Sequence, residues 1–353
     1  MKVSKSINGG TFFAGANSAR GFVSFYGDIF EDRNVKEIYI LKGGPGTGKS
    51  SFMELAAKRG EERGLCVERY RCSSDPDSLD AVVIGERIAI LDGTSPHSED
   101  PRCAGAREEI INLGAFWDGE RLAARYEEIE RLGRSKAERY KSAYRYLEAY
   151  DNVRQINRTL ALGAFKEEKA ARAVDRVFSQ IERGGGYRLS TGVICSVGMK
   201  GRVRYDTYEH FASKVYAIDD FFDLGYLYLR LLIKKAMQTD TPVRVSYDPV
   251  SAKEPDAVFF PNDRKAFVLS CGREDIFADS RINMKRFADQ SIIGNIRNEY
   301  RLNTRVANAL MDSAESALAE AGRYHFELER IYVECMDFEA KEVFCRNFLD
   351  NLI

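Results

Sequence analysis

One glycine-rich segment carries the residue types that bind phosphate. Residues 43–50 read Gly-Gly-Pro-Gly-Thr-Gly-Lys-Ser and fit the pattern G-x-x-x-x-G-K-[ST]. Glycines let successive backbone N–H groups turn toward an anion, and the helix expected to follow adds its positive end. Lys49 would reach the β- and γ-phosphates of a nucleotide, and the Ser50 hydroxyl would ligate Mg²⁺. The predicted contact residues are Gly43, Gly44, Pro45, Gly46, Thr47, Gly48, Lys49, Ser50 and Ser51.

The elements around this loop have the pattern of an α/β sheet. Residues 37–41 predict a buried strand, a helix of about fifteen residues follows the loop, and 65–72 and 87–92 predict further strands. Strand, helix, strand is typical of a parallel sheet. From about 104 to 183 the pattern predicts helix almost throughout, interrupted at Gly133. This stretch is either a helical hairpin packed on the sheet or a coiled-coil partner surface.

The second half of the chain repeats the first in order and spacing. The aligned positions are 38–42 with 215–219, Gly48 with Gly225, Asp80 with Asp256, and 88–91 with 266–269. Repeats of this kind indicate a duplicated supersecondary unit. We therefore predict a tandemly duplicated α/β unit, each copy followed by long helices. The predicted domains are 1–186 and 187–353, joined near the glycines at 184–186.

Composition favours a folded protein of the reducing cytosol. The chain has 353 residues, 44% hydrophobic and 30% charged, which is enough for about two packed domains. The net charge of −1 gives no electrostatic reason to expect nucleic acid or an anionic membrane as partner. No signal peptide is apparent, and no apolar run approaches the ~20 residues of a membrane span. Seven cysteines without close CxxC pairs argue against a disulfide scaffold or zinc site, so we expect a cytoplasmic protein.

The glycine-rich loop and its context resemble the P-loop NTPase superfamily, and more closely its ATP-using members than its GTPases. Four segments are similar to a group of uncharacterised bacterial tandem P-loop ATP-binding proteins. They are 12–16 (Phe-Phe-Ala-Gly-Ala), 41–50, 72–80 (Cys-Ser-Ser-Asp-Pro-Asp-Ser-Leu-Asp) and 91–94 (Leu-Asp-Gly-Thr). The resemblance covers most of the chain. It implies a P-loop NTPase sheet that binds ATP with Mg²⁺, and it names no substrate.

The resemblance also implies which carboxylates act at the site. In such proteins a hydrophobic strand ending in aspartate supplies the second Mg²⁺ contact, and Asp92 at the end of 87–92 matches; alternatively it only ends a strand. The next position often holds a catalytic glutamate, but here it is Gly93, which predicts slow hydrolysis. Asp75 is the candidate for orienting water, or else the N-cap of a short helix over 75–79. His97 is expected to be an exposed loop histidine, with a ligand-facing role as the alternative.

The second copy lacks the residues that would bind phosphate. In the aligned register, Tyr226 stands at the lysine position, Leu227 at the serine position and Ser270 at the position of the strand-ending aspartate. Acidic residues, Asp220 among them, stand where glycines should be, and they would repel a triphosphate. We therefore expect a degenerate second domain that binds no nucleotide.

Three functions are consistent with one intact site. The first is a slow Mg²⁺-dependent ATPase with Lys49, Asp92 and Asp75 as catalytic residues, in which Ser50 and Asp92 hold the metal. The second is a kinase for a small molecule or nucleotide, which requires an acceptor that the sequence does not identify. The third is a nucleotide-sensing protein that binds ATP, hardly hydrolyses it and acts through an unidentified protein partner.

Overall fold

Two six-stranded sheets, each accompanied by a two-stranded antiparallel sheet, are built from equivalent elements of the two halves of the chain. The computed structural model describes residues 9–30, 35–270 and 276–353. The elements of the first half are β1 (Thr11–Phe13), β2 (Gly15–Ser18), β3 (Gly21–Ser24), α1 (Tyr26–Phe30), β4 (Glu37–Lys42), α2 (Lys49–Glu62), β5 (Val67–Arg71), β6 (Leu79–Ile84), β7 (Ile88–Asp92), β8 (Glu108–Asn112), a 3₁₀ helix (Leu113–Phe116), α3 (Gly119–Ala123), α4 (Tyr126–Leu162) and α5 (Glu167–Phe178). Those of the second half are β9 (Leu189–Thr191), β10 (Cys195–Gly198), β11 (Gly201–Arg204), α6 (Thr207–Phe211), β12 (Lys214–Asp219), α7 (Gly225–Gln238), β13 (Val243–Tyr247), β14 (Pro255–Phe260), β15 (Lys265–Leu269), β16 (Ser280–Asn283), a 3₁₀ helix (Met284–Phe287), α8 (Gln290–Glu334) and α9 (Phe338–Leu352).

The two sheets have the same strand order. Within the described residues the first sheet runs β1-β5-β6-β7-β4-β8, and the second runs β9-β13-β14-β15-β12-β16. All neighbouring strands are parallel except at β6 and at β14, each of which is antiparallel to both neighbours. The predicted α/β class is therefore confirmed, and the two halves have equivalent topology. Both sheets are mixed because β6 and β14 are antiparallel, so the prediction of a parallel sheet is wrong at these two strands, which the sequence pattern did not reveal.

Alternation of side chains along the strands divides the core into layers. In β4, Ile38 and Ile40 point to the face between the two sheets, where they share one cluster with residues such as Ala217 of the second sheet. Leu41 points to the opposite face, which is covered by α2. The second sheet is covered on its outer face by α7. Each sheet therefore has an outer helix layer and an inner face turned toward the other sheet.

The two longest helices, α4 and α8, pack on each other in antiparallel directions. Leu132 near the start of α4 clusters with Leu328 near the end of α8, whereas Asn157 near the end of α4 donates to the Tyr300 carbonyl at 3.3 Å. Gly133 lies inside α4, so the predicted interruption there is wrong. The prediction of helix from about 104 is also wrong at its start, where β8 forms. Within the described residues, no helix is both long and apolar enough to cross a bilayer.

The final helix of each half packs on the sheet of the other half. In α5, Ala170, Val174 and Phe178 are buried in the outer core of the second sheet. In α9, Cys345 and Leu349 are buried in the outer core of the first sheet together with α2. This helix exchange means that each sheet is covered partly by a segment from the opposite half of the chain.

Candidate nucleotide-binding site

The glycine-rich loop connects the end of β4 to the start of α2. β4 lies between two parallel neighbours, β7 and β8, so the loop leaves the sheet at an edge where three strands end together. Gly48, just before the helix, is left-handed (φ 77°, ψ 27°), a conformation that glycine adopts without strain. Gly46 is also left-handed (φ 72°), and a Cβ there would lie 2.9 Å from the carbonyl oxygen of Glu329 on α8. Glycine is thus required at these positions for two reasons: the loop turns through left-handed conformations, and α8 packs too closely on Gly46 to leave room for a side chain.

The Lys49 ammonium folds back over the loop and meets Asp92. Its Nζ donates to the carbonyl oxygens of Gly43 at 2.7 Å and Gly44 at 2.8 Å, and it lies 3.6 Å from Asp92 Oδ2. The strand register explains the meeting, because β4 and β7 pair Leu41 directly with Asp92. Both charged side chains are mostly buried, with 11% of Lys49 and 16% of Asp92 exposed. Two residues that the sequence analysis selected separately therefore form one ion pair.

The Asp92 carboxylate is held in a fixed orientation. Its Oδ1 accepts hydrogen bonds from the Thr94 N–H at 2.8 Å and the Thr94 hydroxyl at 2.6 Å, while Oδ2 is the oxygen that faces Lys49. Burial raises the pKa of Asp92 above its usual value; Lys49 opposes this rise and the nearby Asp80 adds to it. A metal ion bound beside Asp92 would favour the charged form of its carboxylate.

Ser50 and Thr47 face different parts of the loop. The Ser50 hydroxyl oxygen accepts a hydrogen bond from the Leu79 N–H at 3.0 Å, which leaves its second lone pair for a cation. Thr47 is buried and donates to the Gly44 carbonyl at 3.0 Å, so it braces the loop from inside. The remaining predicted contact residues are the partly buried Gly43, Gly44, Pro45, Gly46 and Gly48 and the exposed Ser51.

Asp75 lies in a turn between β5 and β6. No helix forms over 75–79, so the predicted N-cap of a short helix is wrong. Its Oδ2 accepts a hydrogen bond from the Ser78 hydroxyl at 2.8 Å, and the residue is 9% exposed. On α8, Glu329 lies beside the loop, because a Cβ at Gly46 would lie 3.2 Å from Glu329 Cγ. The charges of Asp75 and Lys49 both act on the pKa values of Glu329 and His325. The predicted water-orienting role of Asp75 stays a prediction.

A buried histidine and aspartate lie behind Asp92, and sequence reasoning missed their pairing. His97 Nε2 is 2.8 Å from Asp80 Oδ2, and the His97 ring stacks on Tyr26 with ring centroids 4.3 Å apart. The Tyr26 hydroxyl donates to the carbonyl of Asp80 at 2.7 Å and to that of Asp92 at 3.1 Å. His97 is only 7% exposed, so the expectation of an exposed loop histidine is wrong. The cluster fixes the backbone that carries Asp92.

Helix α8 brings further polar groups over the loop from the second half of the chain. Burial and the charge of Asp75 raise the pKa of Glu329, and the charge of Lys49 opposes this rise. Burial, Lys136 and Lys49 lower the pKa of His325 to about 4. Because α8 lies more than two hundred residues after the loop, the local sequence around 43–50 contains nothing that predicts these neighbours.

The buried faces of α2 and α7 correct the register between the two halves. The equivalent buried residues are Phe52 with Tyr228, Met53 with Leu229, Ala56 with Leu232 and Gly60 with Ala236. The second loop is therefore one residue shorter, and the predicted pairing of Gly48 with Gly225 is wrong. Lys49 corresponds to Gly225 and Ser50 to Tyr226. Strand pairing likewise shows that Leu269, rather than Ser270, is the equivalent of Asp92: Asp92 pairs with Leu41 in the first sheet, and Leu269 pairs with the equivalent Ile218 in the second.

In the second loop a side-chain carboxylate occupies the helix end. Asp220 Oδ1 accepts hydrogen bonds from the N–H of Gly225, the first residue of α7, at 2.7 Å and from the Phe221 N–H at 2.8 Å. Burial and Asp223 raise the pKa of Asp220 to about 6. Asp223 is in turn held by Arg158, whose Nε donates to Asp223 Oδ2 at 2.8 Å. The helix end that would face a phosphate in this half is thus bonded to the protein's own anion.

The donor set of the first loop fits a magnesium ion that shares its ligands with phosphate. Within 9–30, 35–270 and 276–353, no group of three or more His, Cys, Asp or Glu side chains is arranged to hold a metal. Mg²⁺ at nucleotide sites commonly takes only one or two protein oxygens and completes its octahedron with phosphates and water. One hydroxyl from Ser50 and one carboxylate from Asp92 meet that requirement.

Comparison with known proteins adds no relative from which a function could be transferred. No protein-family model, no curated protein and no solved structure matches this chain. The function is therefore inferred from the contacts around the loop.

Proposed function

We propose that the chain binds Mg·ATP at the loop 43–50 and hydrolyses it slowly. The supporting observation is that Lys49 meets the loop carbonyls and Asp92 where two neighbouring parallel strands end. Phosphate oxygens are charged acceptors and would bind the ammonium more strongly than the carbonyl oxygens do. Ser50 and Asp92 would hold Mg²⁺ together with the phosphates, and the loop amides and the start of α2 would bind the remaining charge.

Slow turnover follows from the carboxylates around the loop. When bound, Mg²⁺ would neutralise charge that develops on the transferred phosphoryl group. Gly93 after Asp92 has no side chain that could orient water. Glu329 on α8 lies beside the loop, since its Cγ would lie 3.2 Å from a Cβ at Gly46, and Asp75 is buried in the β5–β6 turn. We propose that Asp75 orients the attacking water, since its carboxylate is already held by a hydrogen bond.

Titration calorimetry with a non-hydrolysable ATP analogue and Mg²⁺ tests the binding step. We expect Lys49→Met to lose at least about 100-fold in affinity, because charged hydrogen bonds to the phosphates disappear. Lys58→Met is the matched control, since Lys58 lies on the exposed side of the same helix and should leave affinity unchanged. Equal affinity in wild type and a folded Lys49→Met variant would contradict the proposal.

Phosphate release then separates the proposed ATPase from a protein that only binds nucleotide. We expect slow, Mg²⁺-dependent release that Asp75→Asn reduces further while leaving analogue affinity unchanged. Binding without any release would favour the nucleotide-sensing function instead.

One observation favours small-molecule phosphorylation as a second candidate. Polar side chains of α4 connect to the turn that carries Asp75: the Tyr144 hydroxyl donates to Asn17 Oδ1 at 3.0 Å, and Asn17 Nδ2 donates to Ser74 Oγ at 3.3 Å. Burial lowers the pKa of Lys136, and burial raises that of Tyr140, which bonds Ser74. Such groups could position an acceptor hydroxyl beside the γ-phosphate. ADP production that depends on an added acceptor, and not on water, would favour this candidate.

A further inference from the structure

Lys341 lies in the first turn of α9 and is almost completely buried. Asp337 caps this turn: its side chain accepts from the Ala340 N–H at 2.9 Å, and its carbonyl accepts from the Lys341 N–H at 3.1 Å. Further along the helix, Cys345 and Leu349 are buried in the core with α2 and the first sheet. Lys341 is 8% exposed. Its backbone is therefore fixed against the first half of the protein.

The Lys341 side chain points at the start of α2. A Cβ at Gly48 would lie 2.6 Å from Lys341 Nζ and 3.0 Å from its Cε. Gly48 immediately precedes the helix, so the ammonium lies where unpaired backbone N–H groups carry partial positive charge. Among the residues that the structure describes, none forms a hydrogen bond or ion pair with this ammonium.

A cation in this position is unfavourable unless an anion accompanies it. A positive charge is repelled by the partial positive charge of a helix N-terminus, and Lys341 lies there without an acceptor for its ammonium protons in the part of the chain that the structure describes. Lys49 adds a second ammonium to the same loop. Lys49 has Asp92 as its carboxylate partner, but within the described ranges Lys341 and the helix end have none. A group with several negative oxygens, which describes a polyphosphate, would supply that counter-charge.

The second loop provides an internal comparison. The symmetry-equivalent positions of α9 and α5 are Cys335 with Ala164, Asp337 with Lys166, Cys345 with Val174 and Leu349 with Phe178. In this register Ala170 stands where α9 has Lys341, and Ala170 is fully buried. The start of α7, which is the equivalent helix end, is bonded to the carboxylate of Asp220. Lysine thus lies beside the helix end that accepts no side-chain cap from any described residue, and alanine stands at the equivalent position of the half whose helix end is bonded to Asp220.

We infer that Lys341 is a second phosphate-binding lysine of the loop 43–50, supplied by a helix from the other half of the chain. Its ammonium donates to phosphate oxygens from the side opposite the sheet, while Lys49 donates from the loop itself. The inference depends on the proposed function for the identity of the anion as a nucleotide. The phosphate site is therefore built from both halves of the protein, through the helix exchange.

Titration calorimetry of the full chain with two probes, tripolyphosphate and a non-hydrolysable ATP analogue, tests this inference. We expect Lys341→Met to lower the affinity for both probes by about 10- to 100-fold, since one charged hydrogen bond is lost. Lys341→Arg should retain most of the affinity because it keeps the charge. Arg346→Met is the matched control: it removes a positive charge from the exposed side of α9 and should leave affinity unchanged.

A thermal melt without added anion distinguishes ligand binding from a structural role. Removing an unpaired cation from a helix N-terminus should leave the melting temperature of Lys341→Met equal to that of wild type or raise it. A lowered melting temperature with unchanged affinity for both probes would overturn the inference.

The two probes separate this inference from the proposed function. If wild type binds the ATP analogue and Lys341→Met binds it equally well, the role of Lys341 is wrong and the nucleotide site stands. If wild type binds tripolyphosphate but not the analogue, and Lys341→Met loses tripolyphosphate, the nucleotide proposal fails and the role of Lys341 stands. Binding of neither probe by wild type would refute both.

Discussion

Replacing Lys49 by methionine should destabilise the folded protein in a pH-dependent way, in addition to its effect on nucleotide binding. The variant keeps most of the side-chain stem and removes the charge that lies 3.6 Å from Asp92 Oδ2. At an effective dielectric of 20, two unit charges at this distance attract by about 4 to 5 kcal/mol. Because both side chains are mostly buried, loss of Lys49 leaves the Asp92 charge poorly compensated. We expect the free energy of unfolding of the variant to be about 3 kcal/mol below that of wild type at pH 8, and we call this difference the deficit.

The sign of the pH dependence follows from Asp92. Burial already raises its pKa in the folded state above the unfolded value, so the charged carboxylate opposes folding. Without Lys49, which opposes that rise, the folded pKa moves higher still. The penalty weakens as pH falls through the folded pKa and is gone below the unfolded pKa of about 3.9. The deficit of Lys49→Met should therefore be largest at pH 8 and smaller at pH 5.

Urea unfolding at pH 5, 6.5 and 8 measures this deficit for four proteins: wild type, Lys49→Met, Asp92→Asn and the double variant. In the Asp92→Asn background, Lys49→Met should cost little and its cost should no longer vary with pH. A deficit that is equal at all three pH values, or that is unaffected by Asp92→Asn, would show that the ion pair does not govern the stability of the loop.

Three further outcomes are expected. Asp92→Asn should weaken binding of Mg·ATP more than that of free ATP, because it removes a metal-facing charge while the loop amides remain; equal losses in titrations with and without Mg²⁺ would mean that another carboxylate serves the metal. Calorimetry should give one nucleotide per chain, since Asp220 occupies the second helix end; a ratio near two that survives Lys49→Met would contradict this. Leu349→Ala should lower the free energy of unfolding in urea by about 2 to 5 kcal/mol, because Leu349 is fully buried against the first sheet; an unchanged value would mean that α9 is not docked in solution.

Local patterns predicted the strand, loop and helix around residues 43–50 because they depend on neighbours in sequence. β4 and α2 lie where alternation and helical spacing predicted them, and Asp92 ends a strand paired with β4. The strand β6 escaped notice since its six residues are all buried and lack alternation. Because β6 is antiparallel, its first residues lie at the site edge, and this brings Asp80 next to His97. Asp80 does not follow the end of a parallel strand, where a ligand site is usually sought, so its pairing with His97 was not foreseen.

The other errors come from contacts between distant segments. The register of the two halves slipped because one loop is a residue shorter, and only the buried faces of α2 and α7 reveal this. Lys341 could not be recognised from sequence, since a lysine at the start of an amphipathic helix is ordinarily a solvated residue. What distinguishes it is the packing of α9 on the opposite sheet, which depends on the fold of the whole chain.

The exchange of α5 and α9 between the sheets also sets an order of events during translation. The ribosome completes the strands of the first sheet while α9 is still unmade, so the outer core around Phe52 and Met53 lacks one of its covering helices. Meanwhile α5 emerges before the strands on which it packs. Domains that fold as they leave the ribosome usually do so one after another. Here the first sheet cannot acquire its full cover, nor its loop the lysine of α9, until the second sheet has been synthesised. A nascent chain that stalls between the two halves would carry the whole glycine-rich loop and yet lack the helices that enclose it.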